Sequence, residues 1–308
     1  MKNIILFLFM GSNKEILRSV SQQMEVDNLL VYKSKRTGSW FKWEKESIGR
    51  PEALTKDEVF AMLSNYDNRI INWGCHILLD QGNIILNKPS SCAIGSNKWA
   101  TRKVWQENNI KTPFSSNVLS DMVTFPFIAR PHKHARQLEF HVINNIGELL
   151  TFTATNLNRD NVSENWYFQK IVQKTCEFRV YVTGDKVATI FWKGNGDQLL
   201  SSNQEWHWLD DVNWNEDKLP SLPIYTEGYR LETFKKDIER IKEECIKATK
   251  VLGLNYSGID VGLNCGCECE STINLFESNT DPELTALPIK KFAKYFDSVL
   301  TQSISDSL

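Results

Sequence analysis

The chain has 308 residues, 41% of them hydrophobic and 24% charged, with a formal net charge of -2. That mix belongs to an ordinary globular protein of two or three domains, and the near-neutral balance excludes a generic attraction to nucleic acid or to an anionic membrane. Seven cysteines, an odd number and mostly scattered, fit a reduced cytoplasmic protein better than a disulfide framework.

The opening MKNIILFLFMGS has one Lys and a short apolar run, with no A-x-A-like site after it. It reads as a buried first strand entering a Gly-containing turn rather than as a signal peptide. No stretch approaches the apolar length of a membrane span. Strands at Ile4–Phe9, Leu29–Tyr32 and Arg69–Asn72 alternate with helices at Lys14–Gln23 and Lys56–Asn65. That alternation predicts a small α/β lobe with a parallel sheet. RTGSWFKWEKESIGRP reads as a polar loop between them, whose Trp40 and Trp43 either face a ligand or cap a sheet edge.

Turn chemistry at Gln81–Asn83 leads into a strand at Ile84–Leu86. GSNKWATRKVWQENNIKTP is a helix with Ser96 or Asn97 as its N-cap and Pro113 beyond its end. Phe125–Arg130 is a strand broken by Pro126, and Leu138–Ile143 and Leu149–Ala154 read as a strand pair. Trp166–Val172 is a strand, followed by a hairpin of Cys176–Thr183 and Lys186–Trp192 around Gly184–Asp185. Residues 194–229 form a long irregular insertion. Its Trp206, His207, Trp208 and Trp214 argue for order, and its Asp210, Asp211, Glu216 and Asp217 against a nucleic-acid platform. Leu231–Leu252 is the clearest helix, with Phe234, Ile238, Ile241, Cys245 and Ala248 at helical spacing and Gly253 as its stop. A last amphipathic helix covers Pro288–Thr301.

Two strand ends carry chemistry. GIDVGLN presents Asp260, and INLFESNTDP presents Glu277 and Asn279 on one face of an extended chain. Two carboxylates and an amide oxygen suit a hard cation held against a nucleotide phosphate. The plain alternative is a pair of strand ends solvated at a loop. Cys265, Cys267 and Cys269 lie between the two strands, but spacing of one residue is not that of zinc ligands. No Ser/His/Asp or Cys/His arrangement has supporting spacing.

In their order, these elements resemble the ATP-grasp superfamily of ATP-dependent ligases from Asn72 onward. Five matches carry the resemblance. Asn97-Lys98 opens a helix, where the family places a phosphate-binding Lys. FPFIARP is similar to the family's strand-borne phosphate Lys, with Arg130 in its place. The loop after it, with His132, Lys133, His134 and Arg136, lacks the usual Gly-rich flap. The Arg-Pro-x-x-His pattern resembles ribosomal-protein-S6 glutamate-ligase-like and divergent, phage-type members. WYFQKIVQKTCEFRVYV looks like the adenine hinge at Gln169, Lys170, Ile171 and Val172, with Glu177 for the ribose and Arg179 for the reacting phosphoryl group. Lys193 matches a basic residue placed against phosphate or substrate carboxylate. Glu277-x-Asn279 before Pro282 is similar to the family's E-x-N ending, with Asp260 as its upstream Asp.

The resemblance implies an α/β (α+β) ATP-grasp fold: an N-terminal parallel-sheet lobe at 1–94, a lid lobe at 95–168 and a C-terminal lobe at 169–308. It implies ATP and two Mg2+, or Mn2+, as cofactors. It implies a cytoplasmic carboxylate–amine ligase acting through an acyl phosphate on small-molecule or peptide substrates, without nucleic acid or membrane. A small-molecule kinase, or a non-catalytic nucleotide- or partner-binding protein, are the alternatives on the same fold.

Overall fold

A computed structural model of the chain describes residues 5–10, 14–34, 37–45, 50–64, 69–74, 84–122, 124–132, 140–156, 165–193, 206–208, 231–265, 271–282, 284 and 286–305. The first unit contains β1 (Ile5–Met10), α1 (Lys14–Gln23), β2 (Asn28–Lys33), β3 (Trp40–Glu44), β4 (Glu52–Leu54), α2 (Lys56–Ser64), β5 (Arg69–Trp73) and β6 (Ile84–Leu86). They form a six-stranded sheet of order β4-β3-β2-β1-β5-β6. The sheet is parallel from β2 to β6, but β3 and β4 join it antiparallel. The parallel sheet expected from the alternation of strands and helices is thus extended by two antiparallel strands. The short connections around β3 and β4 can only reverse the chain, because a parallel return needs a long crossover. The segment read as a polar loop therefore contributes β3, with Trp40 and Trp43 buried. Tyr32 stacks on Phe41, and the Arg18 guanidinium lies 4.0 Å from the Trp43 ring centre. β3 lies between β2 and β4, and its two Trp side chains belong to the core, Trp40 in the cluster of Val31 and Leu54 and Trp43 in that of Leu17 and Leu30. The Gln81–Asn83 turn lies outside the described residues.

Two helices follow, α3 (Pro89–Ser96) and α4 (Lys98–Glu107), separated by Asn97 in extended backbone. The Asn97 side chain accepts from the Ala100 N–H at 3.1 Å, so it is the N-cap of α4. α3, rich in Ser and ending near Gly95, has little helical signal of its own.

The next sheet has order β7-β10-β8-β9, made from β7 (Ser115–Ser116), β8 (Phe127–Pro131), β9 (His141–Ile143) and β10 (Trp166–Lys170). Leu149–Ala154, expected as a strand, lies in the helix α5 (Ile146–Asn156). Its Thr and Phe content reads as strand, but a capping box decides otherwise. The Glu148 N–H donates to Asn145 Oδ1 at 3.0 Å, and the Glu148 carboxylate accepts from the Asn144 N–H at 2.9 Å. Phe152 then packs with Phe127, Ile143 and Phe168.

The third sheet has order β13-β12-β11-β14-β15, from β11 (Cys176–Thr183), β12 (Lys186–Lys193), β13 (Trp206–Trp208), β14 (Tyr256–Asn264) and β15 (Thr272–Asn279). The rest of the 194–229 insertion lies outside the described residues. Helix α6 (Leu231–Val251) covers one face, with Phe234, Ile241, Cys245 and Ala248 packed among Phe178, Val180, Ile259, Val261 and Leu275. Each of the Phe, Ile, Val and Leu side chains among them, wholly withdrawn from water, stabilises by roughly 1.5–3 kcal/mol. Gly253, at φ +68°, ends this helix as expected. The last helix, α7 (Ala286–Ser305), sets Phe292 and Phe296 against Trp73 of the first sheet and Tyr181 and Tyr256 of the third. It is the joint between them. Among the described residues no helix is long and apolar enough to cross a membrane.

Candidate functional site

The face of the third sheet away from α6 carries its charge. Register sets Arg179 of β11 opposite Asp260 of β14, and Asp260 opposite Glu277 of β15. Across the three strands the row is one cation and two anions. Like charges directly opposite each other repel, and two basic side chains relieve that repulsion. The Arg179 guanidinium donates to both Asp260 oxygens, Nε at 2.7 Å and Nη2 at 2.9 Å. Lys98, the first residue of α4, donates its Nζ to Glu277 Oε2 at 2.5 Å. The carboxylate beside it raises the Arg179 pKa above its ordinary value against the opposing effect of burial.

The sequence does not announce how Glu277 reaches this face. Ile273 and Leu275 point into the α6 core, and strict alternation would send Glu277 after them. A bulge intervenes. Asp260 pairs with Glu277 but the next residue, Val261, pairs with Leu275, so Phe276 is the extra residue. Beyond it the alternation is reversed: Ser278 is buried, and Glu277 and Asn279 are partly open. The Phe276 ring comes to rest on Gly262, where a Cβ would stand 2.4 Å from it. Only glycine permits that contact. Beside this ring Lys174 pairs with Glu177, its ammonium 5.6 Å from the ring centre.

The second sheet meets the third at α4. The Lys98 N–H donates to the His132 carbonyl at 3.1 Å, which ties the helix start to the end of β8. Trp99 stacks on His132 and Tyr167. Burial pushes the His132 pKa down, and its Nε2–H donates to the Trp166 carbonyl at 2.9 Å. Arg130 and Tyr167 are directly opposed across β8 and β10. Among the described residues, Arg130 Nε is buried without a hydrogen-bond partner, and the Tyr167 hydroxyl faces the Arg102 guanidinium.

Of the residues singled out from sequence, Lys98 thus pairs with Glu277 and Arg179 with Asp260, and register sets Asp260 opposite Glu277. Asn279 follows on the same strand end, opposite Gly258. Glu177 is on the β11 face of Arg179, and Arg130 and Gln169 belong to the second sheet. Lys170 turns away, its ammonium 5.4 Å from the Phe114 ring centre. β10 ends there, so Ile171 and Val172 lie in the connection to β11 rather than in the strand. Lys193 is opposite Glu177 in the β12 register, but its side chain is outside the described residues. So are Lys133, His134, Arg136, the side chain of His207, Cys267 and Cys269. Cys265 is half-buried against the α6 core, near Cys176.

Carboxylate and amide oxygens are the donor type a hard cation takes, and a cation here would share Asp260 with Arg179, which engages both of its oxygens. Glu277 Oε2 is engaged by Lys98, and the Asn279 amide stands two residues on. Among the described residues no group of three or more His, Cys, Asp or Glu gathers. A Mg2+ here would complete its shell with phosphate oxygens and water.

Sequence reading missed Arg102. It lies one turn after Lys98 on the buried stripe of α4, with Thr101 and Trp105, and is 1% exposed. An Arg in an otherwise core-facing stripe is the signal that was there to find.

The same arrangement of sheets is known in solved structures. VanG D-Ala:D-Ser ligase from Enterococcus faecalis superposes with a TM-score of 0.65 at 13% identity, covering 98% of this chain and 99% of that one. D-alanine–D-alanine ligase from Bacillus anthracis gives 0.56 at 14%, covering 99% and 98%. N5-carboxyaminoimidazole ribonucleotide synthetase from Thermotoga maritima gives 0.58 at 12%, covering 96% and 76%. The chain has the ATP-grasp fold. At such identities the likeness establishes the ATP-grasp architecture and nothing finer. No family model and no curated protein matches the sequence.

Proposed function

We propose that this chain is an ATP-dependent carboxylate–amine ligase. One observation carries the reading. Lys98, Arg179, Asp260 and Glu277, drawn from four separate elements, converge at the seam of two sheets in a fold shared with such ligases. One of those structures is a D-alanine–D-alanine ligase complexed with ATP, at TM-score 0.55 and 13% identity. The chain divides into an N-terminal lobe at 1–94, a lid at 95–168 and a C-terminal lobe at 169–308. The Arg130-Pro131-x-x-His134 pattern supports the S6-glutamate-ligase-like, phage-type subgroup.

In this reading Gln169 to Val172 meet the adenine, Glu177 the ribose, and the Phe276 ring supplies the flat apolar surface beside them. Lys98 and Arg130 bind phosphate oxygens, and Lys193 sits close to phosphate or substrate. Asp260, Glu277 and Asn279 hold Mg2+, which when bound screens the β- and γ-phosphates. A substrate carboxylate oxygen attacks the γ-phosphorus, the bond to ADP breaks, and an acyl phosphate forms. Arg179 stabilises the charge that develops there. An amine nitrogen then attacks the acyl carbon, loses its proton and expels phosphate, leaving an amide. No covalent enzyme nucleophile is required.

The test incubates the protein and Mg-ATP with pools of amino acids and peptides, and analyses the products by mass spectrometry. A condensed amide with ADP and phosphate is expected. A phosphorylated acceptor would make it a kinase, and Mg-ATP binding without ADP release a non-catalytic protein. Glu277→Gln should lower ADP release by roughly a hundred- to a thousandfold, with circular dichroism unchanged. An active variant would sink the metal assignment.

A further inference from the structure

Arg102 is a buried cation with no carboxylate among its hydrogen-bond acceptors. Those acceptors are neutral: Thr112 Oγ1 and the Leu275 carbonyl from Nη1, and the Phe276 carbonyl and Gln169 Oε1 from Nη2, the last at 3.1 Å, with the Tyr167 hydroxyl also facing the guanidinium. Burial pushes its pKa down to about 10. A Met or Leu at this place on α4 would fill the space without the desolvation cost. The position is therefore held by what the guanidinium bonds.

Those partners are not scattered. Leu275 and Phe276 are the two residues at the bulge, and their carbonyls lie on the outer edge of β15, the last strand of its sheet. The Thr112 hydroxyl donates to the Leu275 carbonyl as well, at 2.9 Å, and the Leu275 N–H donates to the Lys111 carbonyl at 2.8 Å. Gln169 belongs to the other sheet and is 4% exposed. One planar group with several fixed donors thus spans the bulge and the facing strand, which a Lys ammonium cannot do.

We propose that Arg102 is a positioning residue. It pins the bulge that turns Glu277 out of the core, and it ties that bulge to Gln169, so that the two walls of the site keep one spacing. The assignment of a base to one wall and phosphates to the other rests on the ligase reading; the pinning does not.

Two measurements separate these. Hydrogen exchange without nucleotide compares the unaltered chain with Arg102→Lys and Arg102→Met. Amides of 272–280 and 166–170 should both exchange about tenfold faster, those of 28–33 and 69–73 at an unchanged rate. A response in one site segment alone, or a uniform rise through the first sheet, would overturn the pinning. In the unaltered chain the two segments should lose protection at one urea concentration. Separate concentrations would overturn it too, whether or not the variants fold. Binding of Mg-ATP then reads the spacing. Gln169→Ala and Glu277→Gln should be non-additive in the unaltered background, by about tenfold, and additive with Arg102→Lys. Additivity in the unaltered background would remove the spacing role. Absence of Mg-ATP binding throughout, with paired exchange intact, would overturn the nucleotide reading and leave the pinning standing.

Discussion

The two walls of the site are finished to different degrees. On the third sheet each central charge has its counter-charge: Arg179 with Asp260, Lys98 with Glu277, Lys174 with Glu177. On the second sheet Arg130, opposed to Tyr167, keeps its buried Nε with no partner among the described residues. An unsatisfied buried donor costs about 1–3 kcal/mol; on the second wall it falls on a charged group, whereas the unpartnered buried atoms of the third sheet include the neutral Ser278 Oγ and Thr189 Oγ1. The difference assigns the walls different work. The first is a preformed electrostatic floor, held by its own ion pairs. The second holds a donor that a bound anion would satisfy, as the ligase reading requires of Arg130.

That contrast is easiest to break with paired substitutions. Arg179→Met removes both bonds to Asp260 and should destabilise by about 2 kcal/mol, less than a fully buried pair because the Arg179 side chain is 24% exposed. Arg130→Met should leave stability within about 0.5 kcal/mol, yet weaken Mg-ATP binding by about tenfold. Urea unfolding and calorimetric titration of both variants give the comparison, and equal destabilisation would erase the distinction between the walls. A smaller effect is expected at Tyr167→Phe, which deletes the hydroxyl facing the Arg102 guanidinium. It should lower stability by about 1 kcal/mol. An unchanged stability would show that the hydroxyl gives Arg102 no support.

The smallest effect concerns pH. The folded state holds the His132 pKa below its ordinary 6.5. As pH falls through that value the unfolded chain takes up a proton that the folded imidazole refuses, so stability declines. His132→Gln should flatten this part of the melting profile between about pH 7.5 and 5.5. A profile that keeps its slope would place the titration elsewhere.

Much of this was legible in the sequence where one signal dominated. Helix α6 follows from its apolar spacing, and Asp260 and Glu277 from carboxylates ending apolar runs. What escaped was set by contacts distant in sequence. The Phe276 bulge is invisible in INLFESN, because only the pairing with β14 shows which residue is extra. Strand β3 hid among charges because its partner, not its composition, makes it a strand. Helix α5 was misread from its Thr and Phe content, although the Asn145-x-x-Glu148 box was present. Arg102 was overlooked because a charged residue on a helix is ordinarily a surface residue.

The outer edge of β15 has one more consequence. An exposed strand edge is a template on which another chain can add itself. Here residues 111–112 and the Arg102 side chain occupy that edge, so the groups that arrange the site also keep it from pairing with a neighbour. Variants at Arg102 or Thr112 should therefore self-associate more readily. Light scattering belongs beside every activity measurement made on them.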